Sequence, residues 1–87
     1  MEDMTQILSI LDLVVNDRTV PKNIRKAAED SKNILNDKNQ TMELRISTAI
    51  HILDETINDP NMPMYARTKI WNAVSLLEEM RREVASS

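Results

Sequence analysis

One repetition constrains this chain more than any other feature. The stretch "ILDLVVNDRTVPKNIR" at residues 10–25 returns as "ILDETINDPNMPMYAR" at residues 52–67. Aligning Ile7–Asp37 with Ala49–Glu79 needs no gap, and Ile10, Leu11, Asp12, Asn16, Asp17, Pro21, Arg25 and Leu35 recur as Ile52, Leu53, Asp54, Asn58, Asp59, Pro63, Arg67 and Leu77. A unit that repeats without insertion is one supersecondary element written twice, because the same register must build the same local structure each time. Within each unit an apolar stripe of helical period leads into Asn-Asp, a proline follows, and a second apolar stripe begins. That order reads as helix, turn, helix.

The helix boundaries follow from the same marks. A first helix is expected from about Asp3 to Val15, with Met4, Ile7, Leu8, Leu11, Val14 and Val15 on one side. Asn16 and Asn58 are expected to end their helices in the left-handed conformation, since no glycine is available for it. A second helix covers roughly Pro21 to Asn36, with Ile24, Ala27, Ala28, Ser31, Ile34 and Leu35 inward; its small residues permit close approach. A polar linker, "NDKNQ", leads to a third helix over about Thr41–Ile57, with Met42, Ile46, Ala49, Ile50, Leu53 and Ile57 inward. The fourth follows Pro63 and presents Ala66, Ile70, Ala73, Val74, Leu77, Met80 and Val84, before a tail, "ASS", expected to fray. Prolines suit a first helical turn, where a missing N–H has no partner to lose.

One hairpin cannot bury its apolar face alone, but two can close on each other. The expected fold class is therefore all-α, a four-helix bundle of two repeated helical hairpins, about 3–37 and 41–84, with approximate two-fold symmetry in a single domain. Side-chain volumes agree: Ile24 and Ala28 become Ala66 and Ile70, large and small exchanged one turn apart.

The turn stretches "NDRTVPKNIRKAAEDSKNIL" and "NDPNMPMYARTKIWNAVSLL" resemble the second half of a HEAT-type helical repeat, in which an aspartate after one helix precedes a proline and an aliphatic-arginine pair opens the next. The turn here is about two residues longer than in such repeats and two units are fewer than a solenoid needs, so a long concave surface is not expected. Across nearly its whole length, through the twice-used "ILD…ND…P…R" pattern and the lack of cysteine and glycine, the chain is similar to a small, uncharacterised archaeal family of all-helical proteins. That resemblance implies a compact four-helix fold and brings no functional residues.

Composition decides which functions are open. With 87 residues and no cysteine, neither a disulfide nor a cysteine-bound zinc can staple so small a domain, leaving helix packing or self-association to do so. No apolar run approaches a membrane span or signal core, and a cytoplasmic location is expected. No phosphate-binding loop, dinucleotide fingerprint or zinc spacing is present, so no cofactor, metal or catalytic residue is expected, and an enzyme ranks third among the readings.

His51, the single histidine, falls on an outward face and is expected to pair with Glu55 rather than bind metal. Asp12 with Arg25, and Asp54 with Arg67, flank the stripes on either side of each turn and are expected to form structural pairs within each hairpin. Asp17 and Asp59 are expected to cap the proline-started helices. Lys22, Arg25, Lys26 and Lys32 are candidate anion contacts, which gives nucleic-acid or ribonucleoprotein binding as the runner-up. Ile10, Leu13, Tyr65, Trp71 and Leu76, together with Leu44 and Ile52, exceed the inward stripes. Ile10, Leu13, Tyr65, Trp71 and Leu76 are the candidate partner surface, for a homodimer or another protein. A non-enzymatic interaction module is the leading expectation.

Overall fold

A computed structural model describes residues 2–86 and contains four helices: α1 (Glu2–Val15), α2 (Lys22–Leu35), α3 (Met42–Ile57) and α4 (Met64–Ser86). Successive helices pack side by side, α1 on α2, α2 on α3 and α3 on α4, and α4 returns to α1. Among the described residues the backbones of the diagonal pairs, α1 with α3 and α2 with α4, stay apart and meet only through the core. Short connections make sequential neighbours antiparallel, so this is an up-and-down four-helix bundle, measuring 39 × 21 × 21 Å.

The core forms because the period-3.6 stripes meet on its axis. Ile7, Leu11 and Val14 of α1 meet Ile24, Ala28 and Leu35 of α2, Ile46, Ala49, Ile50 and Leu53 of α3, and Ala66, Ile70, Ala73, Leu77 and Met80 of α4. The exchanged pairs Ile24 with Ala28 and Ala66 with Ile70 are all completely buried. Met4, Leu8, Val15, Met42, Ile57 and Val84 close the sides, half-buried. Ser31 is the one buried polar side chain among the described residues, and its hydroxyl donates to the Ala27 carbonyl one turn back at 2.9 Å. A buried hydroxyl satisfied within its own helix needs no partner from a neighbour.

Three local expectations are corrected. No residue among those described has positive φ: Asn58 sits at φ −85°, ψ 1°. The helices end by tightening, Asp17 N–H reaching the Val14 carbonyl and Asp59 N–H the Thr56 carbonyl, so no left-handed residue is needed. The prolines stand just outside their helices, Pro21 at the N-cap with φ −54° and ψ 148°. The segment expected to fray stays helical through Ser86, since Val84 still packs on the core; Ser87 lies outside the described residues. α4, with 23 residues against 16 in α3, is longer by about 10 Å at 1.5 Å per residue.

Candidate functional site

All three interhelical connections are six residues long, 16–21, 36–41 and 58–63, and each begins Asn-Asp with an arginine eight positions after the aspartate. The aspartate side chain accepts the backbone N–H two residues on: Asp17 from Thr19 at 2.9 Å, Asp37 from Asn39 at 3.0 Å and Asp59 from Asn61 at 2.8 Å. Its carbonyl accepts the N–H three residues on, from Val20, Gln40 and Met62. The chain then extends through Pro21, Thr41 or Pro63, and Thr41 (φ −65°, ψ 154°) copies the backbone of Pro21 while its hydroxyl accepts from Leu44 N–H. The middle connection, read from sequence as a linker, is a third copy of the turn. The signal was present in "NDKNQTMELR", masked because threonine replaces proline and polar Gln40 stands where Val20 and Met62 are buried.

This geometry corrects two roles. Asp17 and Asp59 do not cap helices; their carboxylates fold the turns on themselves, an Asx turn. The arginines do not pair with Asp12 and Asp54. Arg25 Nε donates to the Val20 carbonyl at 3.1 Å and Arg45 Nε to the Gln40 carbonyl at 2.9 Å. Arg67 reaches the Asp59 carbonyl through Nη2 at 3.2 Å, leaving its Nε buried without a partner. A loop carbonyl five to eight residues back is within the arginine's own turn, whereas the aspartate lies on another helix. Asp12 is bound instead by Lys32 of α2.

The first and third turns lie at one end of the bundle and exchange contacts. The Tyr65 hydroxyl, in the first turn of α4, donates to Asp17 at 2.6 Å and also meets the Thr19 hydroxyl. Asn23, in the first turn of α2, donates to Asp59 at 2.8 Å. Asn23 and Tyr65 occupy matching positions of the repeat, so each hairpin holds the other's turn by the same aspartate. The hydrogen bonds from Thr19 and then Tyr65 hold the Asp17 carboxyl below the usual carboxylate range. Those from Asn61 and Asn23 do the same for Asp59. Tyr65 is pushed up in turn, chiefly by donating to Asp17.

The candidate partner residues separate. Leu13 (58%), Trp71 (52%) and Tyr65 (45%) are exposed, whereas Ile10 and Leu76 pack against the core. Sequence reasoning missed Met64, the most exposed large apolar side chain among the described residues at 70%. Of the candidate anion contacts, Lys22, Arg25 and Lys26 line one cleft of about 340 Å³ with Val15 and Glu29; Lys32 is drawn away to Asp12. A second cleft, of about 250 Å³, runs beside the middle turn between Ile34, Leu44 and Arg45. His51 Nε2 lies 3.1 Å from Glu55 on the surface. Among the described residues no three acidic or histidine side chains converge as a metal-binding group, and no helix is long and apolar enough to cross a membrane.

Comparison with known proteins gives one consistent result. The uncharacterised protein family UPF0147 matches residues 1–80. The UPF0147 protein of Methanocaldococcus jannaschii is 48% identical over 80 residues, covering 92% of this chain and 86% of its own. That of Methanothermobacter thermautotrophicus is 46% identical over 80 residues, covering 92% and 78%. A crystal structure of the family member from Thermoplasma acidophilum superposes with a TM-score of 0.87 at 41% identity, over 90% of this chain and 92% of that one.

Proposed function

The chain belongs to the uncharacterised protein family UPF0147, and we propose that it acts in the cytoplasm as a non-enzymatic interaction module whose first partner is a second copy of itself. The observation that carries this reading is the outer face of α4. Met64 and Trp71 are 70% and 52% exposed and stand seven residues apart, two helical turns, on the same side of the helix. Neither belongs to the core, which Ala66, Ile70, Ala73 and Leu77 already fill. For a domain of 87 residues without cysteine, apolar surface buried at about 25 cal/mol per Å² in a two-fold contact supplies stability that a small core does not. The non-enzymatic reading is supported by where the displaced titrations fall. Asp17, Asp59 and Tyr65 are shifted by contacts that tie turns together, and none of them lines either of the two clefts described above.

Sedimentation equilibrium tests self-association. The expected result is a mass rising from 10.0 kDa towards twice that value with concentration. Trp71→Glu is expected to abolish the rise, because a charge buried without a partner is costly, and Leu13→Glu reports whether α1 shares the contact. A mass constant at the monomer value up to millimolar concentration would refute the reading.

A further inference from the structure

We propose that the cleft lined by Lys22, Arg25 and Lys26 is a binding site for a phosphate-bearing anion. The three turns supply an internal control. The arginine is common to all of them, Arg25, Arg45 and Arg67, and its clamp on a loop carbonyl is structural. The lysines are not: the positions of Lys22 and Lys26 are held by Met42 and Ile46 in the second copy and by Met64 and Thr68 in the third. The turn therefore forms without them, and only the first copy places two further cations beside its arginine, spaced three and four residues apart on one helical face.

The arrangement suits a phosphate. Nε of Arg25 is held by the Val20 carbonyl at 3.1 Å, so the guanidinium is fixed in place before any ligand arrives and its two Nη groups remain as donors. Planar, pre-ordered guanidinium groups recognise phosphate oxygens in pairs at little further cost in entropy. The Lys22 ammonium has no hydrogen bond or ion pair among the described residues, at an exposed position on α2. Lys26 is committed only to Asp30, in an exposed pair at 3.2 Å, which a doubly charged anion outcompetes because such pairs are weak. Glu29 is the one anion in the lining, so the cleft keeps a surplus of two positive charges on a protein whose net charge is −3. Neither aromatic residue, Tyr65 or Trp71, lines it, so recognition rests on charge and not on stacking.

The test uses the full-length protein, with amide resonances followed by NMR as pyrophosphate is added at low salt. Saturable shifts confined to Val15 and residues 22–29 are expected. Lys22→Gln/Lys26→Gln should weaken binding about tenfold, the effect of losing two exposed charge-assisted contacts, and Lys22→Arg/Lys26→Arg should restore it. Both lysines are exposed, so the variants keep the fold. An oligouridylate arm identifies the source of the phosphate. Tighter binding than pyrophosphate, with a salt slope near about −2 for three contacts, assigns a polynucleotide backbone; binding of pyrophosphate alone assigns a compact phosphate ester. Absence of saturation with both probes, shifts spread equally over Lys38, Arg81 and Arg82, or an unchanged affinity in the double glutamine variant overturns the site.

Discussion

A single aspartate illustrates how far residue identity carries. That Asp17 matters was legible from its recurrence as Asp59, but its partners were not. Spacing along one helix predicts neighbours three and four residues away, whereas Asp17 takes Thr19 from its own turn and Tyr65 from the opposite hairpin. The same limit misplaced Arg25 and Arg67, whose long side chains satisfy carbonyls in the loop that a helical wheel does not represent. Tyr65 reports the contact directly. Donation to Asp17 raises its ionisation above the ordinary phenol value, since losing the proton removes the hydrogen bond and sets two negative charges together. Asp17→Asn should therefore lower the Tyr65 pKa, read by ultraviolet absorbance without ambiguity because Tyr65 is the only tyrosine. An unchanged titration midpoint would show that the hydrogen bond does not persist in solution.

At the scale of the element, the helices were legible and the joints only partly so. Apolar period and the Asn-Asp signal fixed four helices to within a residue or so, because those patterns depend on local geometry alone. The burial of Val20 and Met62, at 2% and 6% exposure, was not foreseen, since neither lies within a helical stripe. Nor was the second connection recognised as the equal of the others, its proline being replaced by Thr41, whose hydroxyl performs the capping. A linker and a folded turn differ in their response to mutation. Asp37→Ala removes the acceptor for Asn39 N–H and should cost about 1 kcal/mol in urea unfolding, as lost turn and cap hydrogen bonds do. A value indistinguishable from zero would return this segment to the status of a flexible linker.

For the molecule as a whole, closure of two hairpins into a bundle followed from the repeat itself, because neither could bury its stripe alone, while the reciprocal clamp at one end depends on which helix ends meet in space. That clamp contributes to the acid response. Asp17 and Asp59 both titrate below the ordinary range in the folded protein, so their contribution to stability is complete above about pH 3.9, the unfolded value. It is lost as pH falls through the lowered folded values. Asp17→Asn with Asp59→Asn keeps the side-chain shape while removing the charge, and circular dichroism should then show a shallower loss of stability on acidification; an identical acid limb would exclude the clamp as its origin. The order of packing around the ring bears on time as well as on energy. Three of its four helix contacts join sequence neighbours through six-residue turns, and only α1 with α4 spans the chain. Native contacts so close in sequence need little loop closure before they are made, which places folding in the range of roughly microseconds to milliseconds that helical bundles show. The docking of α1 on α4 is the step that bears the largest entropic cost.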